Sequence, residues 1–572
     1  MKSSPSAPRH LDYTVAALLA ALVVTMWAPF GPGRGMPYET TFAQWSETQS
    51  FWSGFLFVGD PLRPHTNTFY HFSYVLSQAL GIPGSFATFE WVYALLWWGR
   101  GFLVYLILVE FLPGHRLVCA AAGALVVSHA ADGSLQWVGQ MNQCGVMVWM
   151  LLAFYTGLLF LRVANRFAAS LLFLGIIFFL HMALWSYEAE LPILMVLPLA
   201  LFILRDRGLA RRIAFAAGWY LVAAVYIGQT AFRYLGQTDA AYQQSVLRSG
   251  GIKLATLLSD WHFNIWEGVR FWSWTATTPR PEQIAAHLPV LWTVGQIVTL
   301  GILGAVLWLG WMWWARSRTS VPAARSTFLA LFGIGLTVYC LSFPVFLLLG
   351  SARGLWRTQL MSGLGYGVAL AALGAFLVSW IGNPRLRLAV FALLCAVPLG
   401  YGVRAAVNRG GFHYGIWERH RFAVAQVLAI APAVEPGAVV FLTNVPSQPS
   451  PFGDNMWYLV ALQLAYPRCY IAGAYLHPDG SRPPGYNLKL EGREWVWSGT
   501  GWPPAEPRRF PFEKTIAIQF SPDGKPTLLD QLPAALEIPP ELNASYAPRT
   551  VIHSRPGFDY GLRRYLRGEH LR

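Results

Sequence analysis

The residues that could do chemistry lie between apolar runs. Glu39 stands in Pro37-Tyr38-Glu39-Thr40, with Glu47 two helical turns further on if the stretch is helical. Asp60 stands in Gly59-Asp60-Pro61-Leu62-Arg63-Pro64, and Asp132 in Ser128-His129-Ala130-Ala131-Asp132-Gly133. Glu188 closes Trp185-Ser186-Tyr187-Glu188, where an apolar run ends. Carboxylates gathered at one level of a membrane suit a reaction in which one deprotonates an acceptor hydroxyl. Another would hold a divalent cation that neutralises a phosphate leaving group. Helix capping, pairing with an arginine and plain hydration are the competing roles of each acid taken singly.

Cations complete the set. Arg353 and Arg357 lie in Ser351-Ala352-Arg353-Gly354-Leu355-Trp356-Arg357. Arginine binds phosphate bidentately and stays charged, so the pair suits a lipid-linked phosphate, with contact to lipid headgroups as the alternative. Arg100, in Trp97-Trp98-Gly99-Arg100-Gly101, falls inside an apolar run and must face protein or water. The sequence does not name its partner. His129, His181 and His262 read as hydrogen-bonded structural residues, and no Cys-x-x-Cys or paired His-Cys spacing suggests zinc.

What positions these residues is a membrane. The 572 residues are 55% hydrophobic and 15% aromatic, only 12% are charged, and the mean hydropathy is +0.40. Soluble domains carry about 25% charged residues. A spanning helix needs about 20 mostly apolar residues, and about eleven runs qualify: 12–30, 88–112, 116–131, 140–162, 168–186, 189–204, 212–231, 288–315, 327–349, 358–381 and 388–405. The first has no small-x-small cleavage site and reads as a retained anchor.

The net charge of +14 follows topology. With a cytoplasmic N-terminus, the inside segments hold fourteen Lys and Arg against Asp12, Glu110 and Asp206, while the rest of the chain is nearly balanced. This excludes nucleic acid as the reason for the basicity. Eleven crossings leave 31–87, 232–287 and 406–572 outside. Residues 51–58 and 69–80 read as helices lying in the interface or packing against protein, and the Trp-rich stretch 261–274 fits an interfacial belt, with a sugar-stacking surface as the alternative. From about 406 the composition turns to Pro, Gly and charge. The strands predicted at 438–443 and 515–520, with helical periodicity at 455–465 between them, make this a small α/β domain. The predicted division is therefore 1–405 and 406–572.

A cytoplasmic N-terminus, eight or more spans, a large first outer loop with an acid soon after the first span, and an outer C-terminal domain form a pattern. It resembles that of the polytopic GT-C glycosyltransferases, which use polyprenyl-phosphate-linked sugars on the outer face of the membrane. Asp60-Pro61-Leu62-Arg63-Pro64 followed by Tyr70-His71 is similar to the Arg-Pro segment in the first loop of many bacterial members. Ser186-Tyr187-Glu188 and Trp137-Val138 are similar as well. The resemblance implies an α-helical integral membrane protein of the bacterial plasma membrane with a small extracytoplasmic α/β domain. It implies Glu39 as catalytic base, Asp60 and Asp132 as supporting acids or metal ligands, and Arg63, Glu188, Arg353 and Arg357 as substrate-binding residues. The implied cofactor is a divalent cation, Mg or Mn. The implied partners are a polyprenyl-phosphate-linked sugar, the bilayer, and a glycan, lipid or protein acceptor. Family members place Asp-Asp, Asp-Glu or Glu-x-Asp in the first loop, where this chain has only Glu39, so the base stays open between Glu39, Glu47 and Asp60. A transporter or lipid-linked flippase, and a non-catalytic assembly protein with the same fold, are the other classes. The matching halves expected of a transporter are not visible.

Overall fold

The computed structural model describes residues 10–27, 45–46, 48–56, 62–82, 86–203, 208–236, 253–274, 325–347, 358–466, 469–498 and 507–553. The chain divides into two units. The first holds residues 1–32, 52–69 and 90–412, and the second holds 33–51, 70–89 and 413–572.

The first unit is helical because its sequence offers long apolar stretches with few charges. Among the described residues six helices are long and apolar enough to cross a membrane: Ala87–Phe111, Val138–Arg162, Arg166–Leu184, Leu209–Arg233, Arg325–Leu347 and Pro384–Ile430. Leu11–Trp27, Arg116–Ser128 and Ser362–Val378 are shorter apolar helices. The run expected at 189–204 is broken into the α-helix Leu191–Val196 and the 3-10 stretch Leu197–Ile203. The run expected at 288–315 lies outside the described residues. Phe167, Leu171, Leu174 and Phe178 on one helix, and Ile213, Leu221 and Val225 on another, are exposed. Large apolar side chains facing outward along 19 to 25 residues of helix are what lipid solvates and water does not.

Helices α1 (His10–Trp27), α2 (Ala87–Phe111) and α3 (Arg116–Ser128) are tied at one end by charge. Asp12 accepts from Tyr105 Oη at 2.6 Å and from the Arg116 guanidinium. α4 (Met141–Arg162) and α5 (Arg166–Leu184) form a hairpin capped by Asn165, whose side chain accepts from the amides of Phe167 and Ala168. α6 (Arg325–Leu341) and α7 (Ser362–Val378) cross closely because glycines stand at the contact. A Cβ at Gly335 would meet the Ala369 amide nitrogen at 2.5 Å, and one at Gly365 would collide with the Tyr339 backbone.

In the second unit, after the short β1 (Ala433–Val434), β2 (Val439–Thr443) lies between β3 (Ala472–Tyr475) and β7 (Thr515–Gln519), parallel to both, and β8 (Thr527–Leu528) adds antiparallel to β7. β2 is buried at every position, as expected of a parallel strand covered on both faces. The crossover helix Asn455–Ala465 starts at Asp454, whose side chain accepts from the Met456 amide at 2.7 Å. A three-stranded antiparallel sheet, β4 (Leu488–Glu491), β5 (Glu494–Trp497) and β6 (Arg508–Pro511), joins the same core through Trp495. That ring packs on Phe441 at 4.9 Å and donates to Thr515 Oγ1 at 2.8 Å. The helix Pro384–Ile430 runs well past the apolar stretch 388–405. In its second-unit part Gln426 exchanges two hydrogen bonds with the backbone of Ser521, at 2.8 and 2.9 Å. The helix Thr68–Ala79 matches the candidate at 69–80, while 51–58 contributes only the 3-10 turn Ser53–Phe55 among its described residues.

The glycine crossing gives a direct test. Gly335→Val should lower the thermal midpoint of the detergent-solubilised protein by several degrees, as overpacking costs about 1–3 kcal/mol. Gly333→Val, on the same helix but with open space around its Cβ, should leave the midpoint unchanged.

Candidate functional site

Three of the proposed site residues fall on described positions: Arg63, Asp132 and Glu188. Glu39, Asp60, Arg353 and Arg357, together with Glu47, lie outside the described residues. The described three belong to two polar networks, both in the first unit.

The first network is centred on Asp132, in the link between α3 and α4 and only 1% exposed. Its Oδ1 accepts from the Ser134 amide at 2.7 Å and from the Ser134 hydroxyl. Its Oδ2 accepts from the Gln359 amide at 3.1 Å. Burial pushes the carboxyl up, while these hydrogen bonds and the charge of Arg409 pull it down. Gln359 extends the network. Its side-chain amide donates to the backbone oxygen of Asn264 at 2.9 Å, and Thr358 Oγ1 donates to Asn264 Oδ1 at 2.7 Å. Asn264 sits on the helix Leu254–Val269, which Tyr339 Oη also holds by donating to Ile265 O at 2.7 Å. His129 Nε2 lies 3.3 Å from Gly268 O, with the rings of Trp274 and Tyr366 each 4.8 and 4.8 Å away. His129 is thus a hydrogen-bonded packing residue, and Trp274 from the Trp-rich stretch is buried rather than facing lipid.

Two residues of this region carry contacts that sequence reasoning missed. Gln136 has φ of 65° and donates from Nε2 to Met26 O at 2.8 Å and Ala406 O at 3.2 Å, bridging chain segments far apart in sequence. Arg100, fully buried, donates to Val126 O at 2.9 Å and Leu360 O at 3.1 Å, its guanidinium 3.1 Å from the Trp97 ring centroid. Val126 is in the last turn of α3, where carbonyls lack helical partners and the helix dipole is negative. The partners of Arg100 are therefore carbonyl oxygens, which no side-chain pattern reveals.

The second network fastens residues 62–67 to the C-terminal end of α5. Arg63 Nε donates to Glu188 Oε2 at 2.8 Å, a second guanidinium nitrogen donates to Oε1, and the guanidinium lies 4.8 Å from the Tyr187 ring centroid. The His65 amide donates to Trp185 O at 3.2 Å, Ser186 Oγ donates to His65 O at 3.3 Å, and His65 Nε2 stands 3.1 Å from His181 Nε2. Asn142 Nδ2 reaches both Thr66 Oγ1, at 3.1 Å, and Ser186 O, at 3.4 Å. Glu190, fully buried beside the pair, finds no side-chain hydrogen-bond partner among the described residues.

Among the described residues no three His, Cys, Asp or Glu side chains group closely enough to hold a metal ion. Asp132 already accepts hydrogen-bond donors on both oxygens, and Glu188 is engaged bidentately. The described acids do not fit a Mg or Mn site.

No protein-family model and no curated protein matches the chain. Two solved structures are similar at a distance. ArnT from Cupriavidus metallidurans in the apo state is 17% identical with a TM-score of 0.32, over 75% of this chain and 81% of that one. The same protein bound to undecaprenyl phosphate is 15% identical with a TM-score of 0.32, over 81% and 89%. Values of this size do not establish a shared fold, and the site rests on its own residues.

The Arg63–Glu188 pair is bidentate and largely shielded, with side chains 16% and 25% exposed. A double-mutant cycle with Arg63→Met and Glu188→Gln, read by thermal unfolding, should show a coupling of about 1–2 kcal/mol. The same cycle on Arg549–Asp530, 3.8 Å apart and 80% exposed on both sides, should show a coupling near zero.

Proposed function

We propose that this chain is an integral-membrane glycosyltransferase of the GT-C type. It moves a sugar from a polyprenyl-phosphate donor to a glycan, lipid or protein acceptor on the extracytoplasmic face by a single inverting displacement. Glu39 takes the proton of the acceptor hydroxyl, whose oxygen bonds to the anomeric carbon as the carbon–oxygen bond to the polyprenyl phosphate breaks. Arg353 and Arg357 hold the departing phosphate, which keeps the bonding electrons. Asp60 supports the base, and Arg63 and Glu188 hold the first outer loop on the substrate side. Asp132 acts through the backbone: its carboxylate fixes the Gln359 amide, two residues beyond Arg357.

One observation carries the reading. Each polar network is anchored beside a segment that bears candidate reacting groups. Asp132 and Asn264 grip Thr358 and Gln359, immediately after Arg353 and Arg357. Glu188 grips Arg63, three residues after Asp60. Firm attachment of a loop's base is what a reaction needs when its groups must be held in one geometry.

The test is an assay of the purified protein in nanodiscs with polyprenyl-phosphate sugars, following loss of the lipid donor by mass spectrometry with and without EDTA. Donor should be consumed, and Glu39→Gln should slow consumption by about 100-fold or more, the usual contribution of a general base. Full activity in that variant would remove Glu39 from the mechanism, and loss with EDTA would assign a metal to the reaction. No consumption of any donor overturns the reading in favour of a transporter, which shows flux without a covalent product, or an assembly protein, which shows neither.

A further inference from the structure

The His65–His181 contact is chemically unlike the rest of the network that holds residues 62–67. Two Nε2 atoms 3.1 Å apart can share one proton only, one ring donating and the other accepting. The rings meet edge to face, their centroids 5.1 Å apart, and His181 lies 4.5 Å from the Trp185 ring, which in turn packs on Tyr226 at 5.0 Å. Adding one proton to the pair leaves the bond in place, as imidazolium to imidazole. Adding the second puts a hydrogen on both facing nitrogens and two positive charges at contact distance.

We propose that His65 and His181 are positioning residues that make the attachment of segment 62–67 dependent on protonation. With the second proton the histidine contact opens and the backbone at His65 and Thr66 loosens from the end of α5, while Arg63 stays on Glu188. Among the described residues the charged and titratable groups around it are Arg63 and Glu188, paired to each other, Glu190 on the same turn as Glu188, and Tyr226 on the helix Leu209–Gly236. None of these supplies a carboxylate hydrogen bond to either ring. Burial and the facing ring hold the His65 imidazole below its ordinary value, and the Phe55 carbonyl is the acceptor that opposes them. Released imidazoles titrate near 6.5. The attached state binds fewer protons, so attachment is complete above about pH 6.5 and weakens as the pH falls below it. This inference stands independently of the transfer reaction.

Hydrogen–deuterium exchange of the whole protein in nanodiscs, read on peptides spanning residues 62–67 and corrected for intrinsic exchange, tests it. The His65 amide, bonded to Trp185 O, is the reporter. Between pH 7.5 and 5.0 the protection of these amides should fall about tenfold, within the ceiling of about thirtyfold that a one-proton equilibrium allows at pH 5.0 for a released value near 6.5. His181→Gln should keep the same protection at both pH values, because a carboxamide accepts from a cationic His65 and donates to a neutral one. His65→Gln should behave alike and serves if the first variant does not fold. Unchanged protection in the wild type, or an acid-induced fall that persists in the Gln variants, overturns the proposal.

Discussion

A polar atom inside a membrane-embedded bundle has no water to turn to, and every one that stays there must be answered by protein. Asp132 shows what this demands. Its two oxygens draw the Ser134 amide and hydroxyl and the Gln359 amide toward one point. The chain on either side of those donors has to come with them. The link after α3, the start of α7 and the helix Leu254–Val269 are assembled around that requirement, because Gln359 passes it on to Asn264. Arg100 obeys the same rule with opposite sign. It takes Val126 O, a carbonyl that the end of α3 leaves free, together with Leu360 O, next to Gln359. An acid and a base thus converge on the same few residues, 359 and 360, by way of the backbone.

The elements read from periodicity and composition are those whose stability is local or comes from burial alone. Residues 439–443 and 515–519 form strands close to their predicted ranges because an unbroken β-branched and aromatic run, flanked by turns, has few alternatives to a buried strand. The helix Asn455–Ala465 is where its 3.6 period and the Asp454 cap put it. Less of the rest was legible. The helix Pro384–Ile430 does not stop where its apolar stretch does: it continues through Gly410, Gly411 and Gly415, and helix formers such as Ala405, Ala406, Glu418 and Arg421 carry it onward. The segment 189–204 is apolar enough to read as a span, yet Pro192 and Pro198 limit its continuity as one α-helix.

The site was legible by residue type and not by partner. Arg63 and Glu188 were each marked as site residues, but 125 positions separate them in sequence and only the fold pairs them. Asp132 stood out as an acid in a short loop, while its attachment to Gln359 runs through a backbone amide, a group that every residue except proline offers. Gln136 and Glu190 gave no signal in advance. A glutamine in the left-handed region and a glutamate in a Ser-Tyr-Glu-Ala-Glu turn look ordinary until burial is known.

Fixed and adjustable attachments stand side by side in the second network, and the difference lies in side-chain chemistry. Guanidinium keeps its charge throughout the biological pH range, so its two bonds to Glu188 change only if the carboxylate does. Two imidazoles hold each other only while they share a proton. Glu190 belongs to neither class: it is a fully buried carboxyl group that finds no side-chain donor among the described residues, an arrangement native structures rarely keep without a reason. It sits two residues from Glu188, within the field of Arg63. Residues 62–67 are thus held at once by a pair whose guanidinium does not titrate and by a pair that a second proton disrupts.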